Sequence, residues 1–266
     1  MQRHVIRGAD LAIWQTGKGD RDLVFIHGFV FIHGFQNDHT AWRPLIERLD
    51  ENRYRFTSFD LLGCGASGSA DSWKRCTIDE YGADLIALCD TLNIDRPVAI
   101  GHSLGAAAIL SAALTTPDRF AGMILIAPAS TTGLDYLPDE ASFDALAHPT
   151  REQQLTLARA AFRRVSEEDL HALMSVIELA SREHIEGVAQ SMRTFTCKPD
   201  LADLDIPSIL ICGDRDRHVP LRNHLATQQA IPRCGLQVYF DIGHVPFTET
   251  PDSCAADIQR FLATVG

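Results

Sequence analysis

A five-residue stretch, Gly101-His102-Ser103-Leu104-Gly105, joins an apolar strand-like run, Pro97-Val98-Ala99-Ile100, straight to an alanine-rich helical run. Few folds accommodate that succession. A serine at so abrupt a turn sits in a strained backbone conformation that lifts its hydroxyl above the sheet, and the flanking glycines remove Cβ atoms that would clash there. Ser103 is therefore the candidate nucleophile. The pattern alone is common; what gives it weight is an acid and a base further on, in the order serine, acid, histidine.

The acid follows another apolar run, Pro207–Cys212, within Gly213-Asp214-Arg215-Asp216-Arg217-His218-Val219-Pro220. Two aspartates compete there. Asp214 directly follows the glycine and suits capping of the turn through its own backbone, whereas Asp216 is carried further over the sheet edge, so Asp216 is the preferred acid. The base is His244, in the glycine-led loop Asp241-Ile242-Gly243-His244-Val245-Pro246-Phe247 after the strand-like Leu236–Phe240. With its ordinary pKa near neutrality, an imidazole can take the Ser103 proton and return it to a leaving group while a carboxylate fixes its tautomer.

Strand-like runs at Val5–Arg7, Leu11–Gln15 and after the turn Gly17–Asp20 are followed by a helix near Trp42–Leu49, a strand at Arg55–Phe59 and a helix at Ile78–Leu92. Then come the nucleophile strand, a helix from Leu104 to Leu114 and a strand at Met123–Ala127. The alternation predicts an α/β fold, a mostly parallel sheet with helices on both faces. Ser103, Asp216 and His244 then all lie beyond the carboxyl ends of strands, where ligands bind in such sheets. From Ala129 to Leu204 the strand rhythm stops, and Glu140–Ala147, Arg151–Arg164, Glu167–Leu179 and Arg182–Met192 read as helices of an insertion. Its apolar Phe143, Leu146, Phe162, Leu173, Met174, Ile177 and Phe195 are candidates for a pocket wall, though packing between amphipathic helices also accounts for each.

In these motifs the chain resembles the α/β-hydrolase superfamily, over residues 1–130 and 200–266. The likeness is carried by the elbow, by His33-Gly34-Phe35 and Asp60-Leu61-Leu62-Gly63-Cys64-Gly65-Ala66-Ser67, and by Gly213-Asp214-Arg215-Asp216 and Gly243-His244-Val245-Pro246. The resemblance implies a hydrolase core of residues 1–129 and 205–266, with a helical cap of residues 130–204 inserted after the sixth strand to roof the pocket. It also implies Ser103, Asp216 and His244 as catalytic residues and an oxyanion hole formed by the backbone N–H of Leu104 and that of Phe35, with Phe29 as the alternative. Ser130 stands where some relatives carry another acid, a role a serine cannot fill. A serine nucleophile speaks against haloalkane dehalogenases and most epoxide hydrolases, which attack with a carboxylate. The expected chemistry needs no cofactor or metal: cleavage of a small carboxylic ester or lactone through an acyl-enzyme on Ser103, with perhydrolysis as a side reaction. Carbon–carbon hydrolysis of a vinylogous diketone, helped by Gln36 and Asn37, is the enzymatic alternative. A ligand-sensing protein without turnover is the alternative of another class.

One stretch departs from that pattern. Val24-Phe25-Ile26-His27-Gly28-Phe29 recurs unchanged as Val30-Phe31-Ile32-His33-Gly34-Phe35, as a short in-frame duplication would leave it. The repeat length is even, so sliding the strand by one copy keeps every side chain on its face and two registers compete. The downstream copy is expected on the strand, because it leaves His33-Gly34-Phe35 joined to Gln36-Asn37-Asp38 and the helix beyond. The upstream copy is then displaced into the preceding hairpin.

A formal net charge of −11 speaks against nucleic acid or an anionic membrane surface as partner, since phosphate contacts need clustered Lys and Arg. No run approaches the roughly 20 apolar residues of a membrane span, and the first residues lack the apolar core of a secretory signal, which implies a cytoplasmic chain. Homo-oligomerisation stays open. The seven cysteines are odd in number and scattered, and read as buried thiols instead of disulfides or zinc ligands. His102 is expected to orient the elbow and Asp60 to brace the Gly63-Cys64-Gly65 turn. His148, His171, His184, His218 and His224 are expected at the surface, with no metal constellation among the histidines of the insertion.

Overall fold

The structure, a computed structural model, describes residues 1–26, 38–133 and 150–265. Its strands are β1 (Gln2–Ile6), β2 (Ala9–Thr16), β3 (Arg21–Ile26), β4 (Tyr54–Phe59), β5 (Val98–His102), β6 (Gly122–Ile126), β7 (Ser208–Gly213) and β8 (Cys234–Tyr239). They form one sheet in the order β1-β2-β4-β3-β5-β6-β7-β8. β2 pairs antiparallel with β1 and with β4, and every pair from β4 across to β8 is parallel. Around it lie α1 (Arg43–Ile46), α2 (Ile78–Thr91), α3 (Leu104–Thr115), α4 (Arg151–Ala161), α5 (Glu167–Ile177), α6 (Arg182–Thr194), α7 (Leu221–Ala230), α8 (Pro246–Glu249) and α9 (Pro251–Leu262).

Every residue of β5 and β6 is buried. A parallel sheet is covered on both faces, which is why these strands read as unbroken apolar runs. Their alternate side chains divide between two cores. Ala99, Met123 and Leu125 pack in one with Leu85 of α2 and Ile109 and Leu110 of α3. Val98, Ile100, Ile124 and Ile126 pack in the other with Leu45 of α1 and Ile258 and Leu262 of α9. Helix starts follow their caps. Thr77 accepts the Glu80 N–H at the head of α2, Thr150 and Gln153 form a reciprocal capping box on α4, and Ser166 and Ser181 cap α5 and α6. The helix expected near Trp42–Leu49 is shorter, a 3-10 turn at His39–Trp42 running into α1.

Among the described residues between β6 and β7 there is no strand, and α4, α5 and α6 lie there. The expected helix Glu140–Ala147, with Phe143, Leu146 and His148, lies outside the described residues. Helix α6 presses against the core. Gly187 leaves no room for a Cβ beside Trp73 O, the Ser181 N–H donates to Gly63 O at 2.8 Å, and Ser191 Oγ accepts the Ile78 N–H at 2.8 Å. Among the described residues no helix is long and apolar enough to cross a membrane.

The repeat resolves differently from the sequence expectation at its start. β3 carries Val24-Phe25-Ile26, so the first half of the upstream copy lies in the sheet, with Val24 opposite Ala99 and Ile26 opposite Gly101; the downstream copy lies outside the described residues. The reason lies in the turn before it. Lys18 N–H donates to Glu51 O at 2.7 Å, and Gly17 and Gly19 approach the backbone of Arg53 and Tyr54 too closely for any Cβ. With Gly19 held there, Arg21-Asp22-Leu23 open β3 and Val24 follows them directly in the strand. Residues 27–37 lie outside the described residues. Deleting either copy yields the same chain and restores the same three residues to β3, while halving the connection from Ile26 to the turn at His39. The shorter chain is expected to be more stable, by about 0.6 kcal/mol from loop closure alone, and to turn over faster. A thermal melt and an ester assay check this; lost activity would show the duplication to be part of the working site.

Candidate active site

The elbow is built as its residue types require. Ser103 has φ 56° and ψ −111°, a conformation in which an L-residue stores strain of about 1–3 kcal/mol. Three backbone hydrogen bonds hold it there. Its N–H donates to Ile126 O at 2.9 Å, and its carbonyl accepts from Ala107 N at 3.1 Å and Ala129 N at 3.2 Å. Gly101 must be glycine, because a Cβ there would lie 2.6 Å from Ala106 N.

Ser103, Asp216 and His244 meet. Ser103 Oγ lies 2.8 Å from His244 Nε2, and His244 Nδ1 lies 2.6 Å from Asp216 Oδ2, with all three side chains buried. β5, β7 and β8 deliver them from the same sheet edge, and the His244 loop reaches back across β7 and β6 to the elbow. Asp216 Oδ1 accepts the N–H groups of His218 at 2.8 Å and Val219 at 2.9 Å, so the turn chemistry anticipated for Asp214 belongs to Asp216 itself. Asp214 instead braces the base loop, its Oδ1 accepting Asp241 N–H at 2.7 Å. Burial alone would raise the Asp216 carboxyl; the charge of His244 and the hydrogen bonds from His224 and His244 outweigh it and hold the group well below the usual carboxylate range.

Three histidines expected at the surface are buried. His218 stands edge-on to the His244 ring, with centroids 5.2 Å apart. His224 Nε2 lies 3.0 Å from Asp216 Oδ2. Both are inside because α7 starts at Leu221 and its first turn folds back over the acid loop; the proline before a helix was the available signal. His184, on α6, hydrogen-bonds the Tyr81 hydroxyl at 2.5 Å and touches Cys64 Sγ at 3.4 Å, anchoring the insertion to the core. His171 is exposed. His102 supports the elbow as expected: its Nε2 lies 2.9 Å from His244 O, and burial keeps its pKa well below the ordinary value.

Glu249 is a residue that sequence reasoning missed. Its carboxylate accepts Gly243 N–H at 2.8 Å, Arg163 N–H at 2.8 Å and Arg164 N–H at 3.2 Å, while His244 N–H donates to Ala161 O at 2.7 Å. The chain leaving α4 is thus stitched to the loop that carries the base. Glu249→Ala strands these donors and is expected to cost about 2 kcal/mol of stability, and about tenfold in turnover through a loosened His244. Melting and steady-state rates check it; an unchanged rate beside a lower Tm would deny the loop this support.

The Leu104 N–H is the first donor of α3, one of the N-terminal groups that lack a helical partner and can face an anion. The other two oxyanion candidates, Phe35 and Phe29, lie outside the described residues, as do Gln36 and Asn37. Asp60 is buried and binds both sides of its neighbourhood, with Oδ2 accepting Ala66 N–H at 2.7 Å and Oδ1 accepting His39 N–H at 2.8 Å. It therefore braces the glycine turn as expected. Ser130 Oγ accepts from Asn223 Nδ2 at 3.2 Å. The seven cysteines are all buried and free. A cavity of about 760 Å³ is lined by Phe162, Val165, Leu173, Val176 and Val245 together with the charged Arg164, Asp169 and Glu249; none of Ser103, Asp216 and His244 is in its wall. Of the expected pocket residues, Phe162 and Leu173 reach it, while Met174 and Ile177 are packed in the core.

Residues 23–257 match the Alpha/beta hydrolase family. The chain is 24% identical to the 2-hydroxy-6-oxononadienedioate/2-hydroxy-6-oxononatrienedioate hydrolase of Klebsiella pneumoniae, over 93% of this chain and 88% of that protein. It is 25% identical to the pimeloyl-[acyl-carrier protein] methyl ester esterase of Aliivibrio salmonicida, over 94% and 95% of the two chains. Among solved structures, a thermophilic esterase from Thermogutta terrifontis superposes with a TM-score of 0.82 at 25% identity, covering 100% of this chain and 99% of the other.

Proposed function

We propose, from the premise that the chain belongs to the alpha/beta hydrolase family, that it cleaves a small, partly apolar carboxylic ester or lactone through an acyl-enzyme on Ser103. That it is a hydrolase is supported by relatives named as a 2-hydroxy-6-oxononadienedioate/2-hydroxy-6-oxononatrienedioate hydrolase and as a methyl ester esterase. The reading of its bond and residues rests above all on one observation: a serine hydroxyl on a strained elbow, 2.8 Å from an imidazole nitrogen whose other nitrogen meets a buried carboxylate. In this reading His244 takes the Ser103 proton as the oxygen attacks the carbonyl. Asp216 holds the proton on Nδ1 and steadies the imidazolium. Leu104 N–H and the amide of Phe35, or of Phe29, receive the oxyanion, and His244 then protonates the leaving alkoxide. A water activated by the same imidazole releases the acid. The helices between β6 and β7 act as the cap. No cofactor enters the scheme.

Carbon–carbon hydrolysis is the second reading, supported by the similarity to the Klebsiella enzyme. Treating the protein with a fluorophosphonate and weighing the adduct, with short p-nitrophenyl esters assayed in parallel, tests the first. One adduct mapping to Ser103 together with ester turnover is expected. Labelling without ester turnover would move the dienone substrates ahead, and no labelling would overturn the serine mechanism.

A further inference from the structure

The acid of the site has two imidazole partners, and the mechanism above uses one. Asp216 Oδ2 receives His244 Nδ1 at 2.6 Å and His224 Nε2 at 3.0 Å, while Oδ1 is occupied by the N–H groups of His218 and Val219. An ionised carboxylate only accepts, so each of these four nitrogens must present a proton to it. His224 therefore carries its proton on Nε2. Its Nδ1 is buried and has no hydrogen-bond partner among the described residues, so a second proton there would meet no acceptor. The ring is built to give Asp216 one hydrogen bond and nothing else. Its helix is fixed to the sheet on the same face, where Asn223 Nδ2 donates to Ser130 Oγ and the Thr227 and Thr131 hydroxyls lie 3.1 Å apart. Asn223, His224 and Thr227 are all buried, an unusual polar face for a helix to turn inward.

We infer that His224 is a positioning residue, a second donor that shares Asp216 Oδ2 with His244 and thereby limits how strongly the carboxylate stabilises the His244 imidazolium. This rests on the reading of His244 as general base. An oxygen already engaged by His224 is a weaker acceptor for His244, so the base releases its proton more readily after each transfer. Without His224, Oδ2 belongs to His244 alone, the imidazolium is better stabilised, and the base stays protonated to higher pH. Other titratable groups face the same site. The His102 ring lies against the His244 carbonyl and His218 beside the His244 ring, Glu249 holds the base loop, Asp214 braces Asp241, Cys212 is the penultimate residue of β7, and Arg163, Arg215 and Arg217 share a cavity wall with Asp216. All are common to the variants compared, so their influence cancels in the difference.

The experiment compares His224→Leu, which removes the donor, with His224→Gln, whose amide can still donate, by the pH profile of kcat/KM for p-nitrophenyl acetate. His224→Leu is expected to move the acid limb upward by about half a pH unit, the size one shared hydrogen bond supports. His224→Gln is expected to return it to the wild-type position. A limb that stays in place in a folded His224→Leu, or moves equally in both variants, overturns the inference. A second readout needs neither turnover nor the leucine variant. With histidine labelled by nitrogen-15, proton spectra of the wild-type protein should contain low-field imidazole N–H signals from both His244 and His224, and the His224 signal should be lost in His224→Gln. A low-field spectrum unaffected by that substitution refutes the shared oxygen. An enzyme that fails to hydrolyse any ester yet has both signals refutes the functional reading and leaves His224's contact standing.

Discussion

Ser103→Ala will lower turnover by about a million-fold, the loss typical of removing a serine nucleophile from an assembled triad. KM for short esters should barely move, because the pocket walls and the Leu104 amide are unchanged. Any residual rate should come from a water in place of the hydroxyl, and loss of the fluorophosphonate adduct should accompany it. The same position separates chemistry from stability. The three hydrogen bonds to its backbone impose φ 56° on whatever residue sits there. Alanine inherits the strain, whereas Ser103→Gly escapes it and should melt higher, by about 1 kcal/mol in stability, while being equally inactive. Residual turnover above a thousandth of wild type in Ser103→Ala would sink the assignment of the nucleophile.

Asp216→Asn should be nearly as damaging, at about ten-thousandfold in kcat. The geometry explains why so small a change matters. Each carboxylate oxygen accepts two N–H groups, whereas an amide offers one accepting oxygen and an NH₂ that only donates. If its oxygen stays with the backbone of His218 and Val219, its NH₂ faces His244 Nδ1 and drives the ring proton to Nε2. An imidazole with Nε2 protonated cannot accept from Ser103. Stability should follow pH as well. Because the folded Asp216 carboxyl is held well below the ordinary range, it contributes stability that is fully present above about pH 4 and drains away as the pH falls through its folded value. The Tm gap between wild type and Asp216→Asn is therefore widest at neutral pH and should close on acidification. A gap independent of pH would mean that the carboxylate is not the source of the difference.

Much of this arrangement was legible in the residues. β5 and β6 announce themselves as unbroken apolar runs because they are covered on both sides, and the elbow needs small residues for reasons visible in its sequence. The order of serine, acid and histidine survives folding because each follows a strand and strands deliver their ends to one edge. What was not legible is set by contacts across space. His184, His218 and His224 look like surface residues because polarity in a sequence says nothing about a tyrosine hydroxyl or a carboxylate waiting opposite. Glu249 was invisible for the same reason, its three partners being backbone groups from two other segments. The register of β3 escaped because the two copies of the repeat are identical. It was decided by the tightness of a turn whose glycines face the backbone of Arg53 and Tyr54.

The stitching of Ala161, Arg163 and Arg164 to the His244 loop bears on how such a chain can diversify. A helical insertion that only rested on the sheet could be traded among relatives like a removable part, changing substrate preference and leaving the chemistry intact. Here the insertion supplies a carbonyl to the backbone of the base and two amides to the glutamate that braces its loop. A chimera that grafts residues 130–204 from a relative will hold His244 in place only if the donor's backbone leaves the helix matching α4 along the same path. Recombination should therefore favour donors in which that short exit is matched, whatever the identity of the helices around it.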